Sequence, residues 1–214
     1  MNRSVPASLP RDLKVETRVS TLQDGARWRP AIGLGVASLL LAGLVYAGIA
    51  TGVAGLAFPA QAGGSLLRDD AGQVRASAWL AQPFNGDGYF QARPSAANYD
   101  PMAAAGSNLA RSNPALAERV AASTAAVAAR EGVAPAQVPA DLVTQSGGGL
   151  DPQLSPAAAQ LQVARVAQAR GLPVERVQAL VQAHTQGRQW GLFGQPRVNV
   201  VTLNFALDHA AAAP

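Results

Sequence analysis

The sequence predicts a mixed α/β protein: one N-terminal transmembrane helix followed by a small extracytoplasmic α+β domain. Three observations predict it. No charged residue occurs between Pro30 and Leu67. Three later segments open at a proline and close on a glycine, the asymmetry expected of helix ends. One further segment, RVNVVTLNFAL at 197–207, is dense in β-branched and apolar side chains, as strands are. The boundaries that follow are a basic cytoplasmic tail over 1–29, the helix over 30–58 and the domain over 59–214.

The tail is polar, charged and without apolar periodicity, and reads as disordered. It holds six basic residues against three acidic ones, whereas the chain from Arg68 onward holds eleven against ten. Most of the formal charge of +4 therefore sits ahead of the helix, and the domain lacks the basic face that a phosphate backbone requires. Nucleic acid is excluded as a partner. The sequence has no cysteine, which excludes a disulfide framework, a thiolate metal site and a cysteine nucleophile.

The most apolar run, 31–58, is 28 residues long and would extend roughly 42 Å as a helix. A hydrocarbon core of about 30 Å needs about 20 residues. Ala60-Gln61-Ala62 has the small-x-small form of a signal cleavage site. A signal h-region, however, is typically about 7–15 residues, so the run reads as a retained anchor. Lys14, Arg18, Arg27 and Arg29 flank its start, and Arg68 is the first cation beyond it. The positive-inside rule then puts the N-terminus in the cytoplasm and the domain outside, a single-pass arrangement in contact with lipid. Gly43, Ala47, Thr51 and Gly55 form a small-residue face, with Gly48 and Gly52 as a GxxxG pair, suited to close helix–helix packing. No ionisable residue lies inside the span, so it offers no proton relay or gating charge, and one helix cannot enclose an ion path.

In the domain, 64–68 and 73–80 are read as a hairpin around a turn at 70–72. The first helix is capped by Asn113, has Pro114 at its first position and stops at Gly132; the second has Ser155, Pro156 and Gly171 in the same roles. The third runs from Pro173 to Gly187, with Val174, Val177, Leu180, Val181 and His184 on one face. The 197–207 segment is read as a strand covered on both faces, and His209 as part of an extended tail.

No catalytic constellation emerges. His184 reads as a packing residue, and Asp208 and His209, adjacent on an extended segment, would point apart. Two isolated histidines make no metal site. The serines match no nucleophile elbow, and the glycine run at 147–149 is followed by no Walker lysine. What stands out is a set of aromatics, Phe84, Tyr89, Phe90 and Tyr99, interleaved with Arg93, Pro94 and Ser95, beside the polar turns of Ser107, Asn108 and Asn113. That composition suits a partner-recognition surface.

The motifs Q-P-F (82–84), Y-F-x-x-R-P-S (89–95), G-S-N-L-x-x-S-N-P (106–114) and V-P-x-D-L-V-T-x-S-G-G-G-L-D-P (138–152) carry a resemblance. So do L-S-P-A-A-A-x-x-Q-V-x-R-V-A (154–167) and G-x-P-R-V-N-V-x-x-L-N-x-A-L-D (194–208). Together they closely resemble the C subunit of the Kdp-type high-affinity potassium-transporting P-type ATPase. The resemblance implies a non-catalytic accessory subunit with one span. Its partners would be a potassium-selecting channel-like subunit, a P-type ATPase subunit and a small single-span subunit. ATP and potassium would be handled by those partners, with no cofactor or metal in this chain. It also implies a role in assembly and as a catalytic chaperone raising the pump's ATP affinity. The family's proposed nucleotide pattern, Q-x-x-R, falls on Gln162 and Arg165. As residues, these are neighbours on one helix face, and the expected topology puts them across the membrane from ATP. The alternative is a stand-alone membrane-anchored extracytoplasmic binding module.

Overall fold

The computed structural model describes residues 28–212, so nearly all of the basic tail expected over 1–29 lies outside the described residues. The chain separates into two units, Met1–Val53 and Ala54–Pro214. Helical backbone runs from Trp28 to Ala57, 30 residues with a mean hydropathy of 2.1 over its most apolar window. By length and composition it is a candidate membrane span. It consists of α1 (Trp28–Ser38), a π-helical segment (Leu39–Tyr46) with i→i+5 hydrogen bonding, and α2 (Ala47–Ala57). One short turn of helix, α3 (Pro59–Ala62), follows.

The second unit opens with the expected hairpin. Strands β1 (Leu66–Arg68) and β2 (Val74–Ser77) pair antiparallel, with a bulge between Leu67 and Arg68. Asp69 builds the turn: its Oδ1 accepts from the N–H groups of Ala71 and Gln73, and its Oδ2 meets Arg75 at 2.7 Å. The Gln73 backbone hydrogen bond, with Arg75, holds this carboxyl below its ordinary range.

Helices α4 (Pro114–Glu131) and α5 (Pro156–Arg170) have the predicted ends. Asn113 Oδ1 accepts from Ala115 N–H at 3.0 Å, Ser155 Oγ accepts from Ala158 N–H at 3.1 Å, and the stops are Gly132 and Gly171. The third helix is shorter than expected. α6 (Val174–Ala183) ends four residues before Gly187, because Thr185–Gln186 pairs as strand β4. Strand β3 (Gln153–Leu154) pairs on the other side of the same central strand, β5 (Arg197–Asn199), giving the antiparallel order β3-β5-β4.

The expected 197–207 strand is corrected. Pairing stops at Asn199, and the chain becomes helix α7 (Val200–Ala212). Asn199 makes the switch: its Oδ1 accepts from the N–H groups of Val201 at 3.0 Å and Thr202 at 3.1 Å, satisfying the first free donors of the helix. Val200, Leu203, Asn204 and Leu207 then fall at helical spacing and are fully buried. His209 accordingly lies on a helix. Its Nδ1 is 2.7 Å from the Phe205 carbonyl and its Nε2 is 3.7 Å from Asp70.

The core joins Val163, Val166 and Ala167 of α5 to Val177 and Val181 of α6, with Leu203 and Leu207 of α7 and the sheet residues Leu154 and Val198. One connection contributes a large side chain as well. Phe90 is fully buried.

Candidate functional site

The segment from Phe84 to Ser95 has no partner strand, yet it crosses the core edge. Its backbone groups must find hydrogen bonds there, and polar side chains of α5 and α7 supply them. Asn204 Nδ2 donates to the Phe90 carbonyl and its Oδ1 accepts from the Phe90 N–H, both at 2.9 Å. Gln162 does the same for the next residue: its Oε1 accepts from Gln91 N–H at 2.8 Å and its Nε2 donates to the Gln91 carbonyl at 3.1 Å. Arg165 donates to the carbonyls of Asp87 at 2.6 Å and Tyr89 at 3.0 Å. Arg170 Nε donates to the Gly88 carbonyl, and its guanidinium lies 4.6 Å from the Tyr89 ring centroid. Residues 87–91 are therefore held by four side chains, each on a helix.

Behind them stands a buried carboxylate. The Glu131 side chain is wholly buried at the C-terminal end of α4, where the helix dipole disfavours negative charge. Arg165 Nε at 3.0 Å and Arg130 Nε at 2.8 Å compensate it. Gln162 and Arg165, the proposed nucleotide pattern, are neighbours as expected, with Arg165 Nη2 donating to Gln162 Oε1 at 2.9 Å. Gln162 is fully buried and both ends of its amide are engaged. In this conformation the pair presents loop-holding groups rather than open ones.

The recognition residues divide. Phe90 is corrected from surface to core, since the alternation of the segment turns it inward between α5 and α7. Phe84 and Tyr89 are half-buried with ring centroids 5.5 Å apart. Arg93 is tied to Asp151 at 3.2 Å and to the Gln145 carbonyl at 3.2 Å. The half-buried Pro94 carbonyl accepts from Ser146 N–H. Ser95 Oγ accepts from the N–H groups of Ala97 and Tyr99, and the Tyr99 hydroxyl returns to the Arg93 carbonyl at 2.9 Å. Burial pushes that phenol up. Asn113 caps α4. Gly43, Ala47 and Thr51 lie exposed on the apolar helix, with Gly55 partly covered, and a Cβ added at Gly43 or Gly55 would meet nothing within 4 Å.

Two cavities border this region. Ser107 and Asn108 line one of about 240 Å³ with Arg119, Gln145 and Ser146. Arg93 lines a second of about 580 Å³ with Asp141, Gln153 and Arg197. Of the lining residues, Arg119 and Gln145 in the first and Arg93 and Gln153 in the second each carry one solvent-shielded side-chain atom, an arginine Nε or a glutamine Oε1, without a hydrogen-bond partner. Two open aromatics of the domain stand outside the residues named from sequence. Trp190 is 81% and Phe193 59% exposed, on a hairpin tip whose Gly-bracketed W-G-L-F pattern was the available signal. Among the described residues no group of three or more metal-ligating side chains assembles.

Comparison with known proteins bears on the whole of this architecture. A family model described as KdpC, the c chain of the K⁺-transporting ATPase, matches residues 28–209. The chain is 58% identical over 189 residues to a potassium-transporting ATPase KdpC subunit of Xanthomonas oryzae pv. oryzae, covering 88% of this chain and 90% of the relative. It is 54% identical to the protein of the same name from Shewanella putrefaciens, over 82% of this chain and 88% of the relative. With that from Pseudomonas syringae pv. tomato it shares 51% identity over 87% of this chain and 95% of the relative.

Proposed function

The chain belongs to the KdpC family of K⁺-transporting ATPase c chains, and from that premise we propose that it is the accessory, non-catalytic subunit of an ATP-driven potassium-uptake complex. Its helix lies in the bacterial inner membrane with the N-terminus cytoplasmic and the domain extracytoplasmic, as the basic flank of Arg27 and Arg29 argues. The potassium-selecting subunit receives the small-residue helix face and the domain. The P-type ATPase subunit hydrolyses ATP, and a small single-span subunit completes the assembly.

The observation that carries this reading is the helix Trp28–Ala57. It is apolar and unburied within the chain, with glycines beside which nothing packs. In lipid, such a face gains by close packing against another helix. Assembly and stabilisation are its first role. A catalytic-chaperone effect on ATP affinity would reach the pump through this helix, by favouring one of two pump states through different contacts in each.

The test is potassium-limited growth and uptake in cells whose own copy is replaced by a form lacking residues 60–214. Uptake should fall with loss of the assembled complex; normal uptake would overturn the docking role of the domain. Comparing the ATP affinity of the complex with and without the chain tests the chaperone role separately.

A further inference from the structure

We propose that the hairpin carrying Trp190 and the cavity beside it form the docking surface for a polypeptide segment of a partner subunit of the same complex. The proposal rests on the accessory-subunit reading and names the surface that reading leaves open.

The hairpin is closed by hydrogen bonds between Gln189 and Phe193, at 2.9 and 3.0 Å, around a three-residue tip. Trp190 sits at φ +53°, a conformation that bulky side chains rarely adopt, followed by Gly191 at φ +75°. The result is that Trp190, Leu192 and Phe193 are 81%, 74% and 59% exposed, side by side on a projecting turn. Isolated exposed apolar residues need no explanation, but three on one tip mark a contact site. Strained backbone persists where function holds it. Trp is also the residue type most enriched among binding hot spots, with Arg close behind.

The descending arm, through Gly194 and Arg197, forms one wall of the cavity of about 580 Å³. Arg93, Asp141 and Gln153 line its other walls. Charge bears on what can fill it: two arginines, Arg93 and Arg197, line the cavity against one carboxylate, Asp141. No carboxylate occurs in the sequence between Glu175 and Asp208, whereas Arg188 and Arg197 flank the tip. The partner segment is therefore apolar where it meets Trp190 and Phe193, with an acidic side chain nearby.

The experiment uses the full-length chain co-expressed with its complex. A benzophenone amino acid at Leu192 should crosslink to a peptide of a partner subunit, identified by mass. The double variant Trp190→Ser/Phe193→Ser should lower the yield of co-purified partners by about tenfold or more. Its own thermal stability should stay unchanged, because both side chains are exposed. Crosslinks only to lipid, or only to a second copy of this chain, would overturn the proposal, as would full retention of partners by the double variant. A wild-type chain that recovers no partner at all would overturn the subunit reading instead.

Discussion

Asn204 and Phe90 share a closed pair of hydrogen bonds: the amide of one side chain satisfies both the N–H and the C=O of the other residue, each at 2.9 Å, at full burial. A helix side chain here does the work of a neighbouring strand, and Gln162 repeats it on Gln91. Removing either amide leaves two main-chain groups unpaired in the protein interior. Asn204→Ala should therefore cost about 3 kcal/mol, lowering the melting temperature of the full chain by roughly 6–12 °C. Thermal denaturation in detergent measures it. A change of a degree or less would mean that water replaces the amide freely.

Arg165 carries the second prediction. It joins the buried Glu131 carboxylate to the carbonyls of Asp87 and Tyr89. Breaking one side of a buried ion pair costs about 3–5 kcal/mol when the remaining charge is stranded; Arg130 still meets Glu131 at 2.8 Å, so the loss lies toward the lower figure. Arg165→Ala should fall in that range, and pairing it with Glu131→Gln should lose less than the two single changes added together. If Gln162 and Arg165 clamp the 87–91 loop, any loss of ATP affinity in the complex on changing them should track loss of folded chain. A Gln162→Leu chain that melts like wild type yet abolishes an ATP-affinity effect would contradict the clamp.

Gly149 tests how closely two connections pack. It adopts φ +73°, and an added Cβ would stand 2.8 Å from the Ala105 carbonyl oxygen and 3.2 Å from Ser95 Oγ. The left-handed conformation disfavours alanine by about 1–2 kcal/mol, and backbone crowding adds about 1–3 more. Gly149→Ala should destabilise by about 2–4 kcal/mol on these two grounds. Gly148→Ala, where a Cβ meets nothing within 4 Å, should change stability by less than about 0.5 kcal/mol. Equal melting temperatures for the two variants would refute this account.

What was legible in the sequence was local. Asn113, Ser155, Gly132 and Gly171 mark the ends of α4 and α5 because caps and stops act within a turn. The Asp69 turn and its hairpin were legible for the same reason. The 197–207 segment misled because valine-rich runs satisfy strand and helix patterns alike, and only the cap made by Asn199 separates them. Likewise α6 ends early because Thr185–Gln186 finds its partner in β5, a pairing no local signal announces. Phe90 reads as surface because it belongs to a set of aromatics interleaved with Arg93; its burial goes with two amides that lie 71 and 114 residues away from the segment they hold. Gln162 and Arg165 could be placed as neighbours, but not as a clamp, until the loop they grip was in view.

His184 gives the pH prediction. It lies half-buried at the end of α6, and burial pushes its imidazole below the ordinary value of 6.5. The folded chain thus favours the neutral ring, while the unfolded chain takes up the proton as pH falls through about 6.5. Where the unfolded state binds more protons, stability rises with pH. The contribution is complete above pH 6.5, declines as pH falls below it, and levels off once pH passes the lowered folded value. Its slope cannot exceed about 1.4 kcal/mol per pH unit for one proton, and partial exposure keeps it well under that. Melting curves of the full chain between pH 5 and 7.5 should show the decline, and His184→Gln should flatten it. A decline that persists in the His184 variant would assign the acid sensitivity to other groups, with the Asp69 carboxylate, held below its ordinary range, acting only at lower pH.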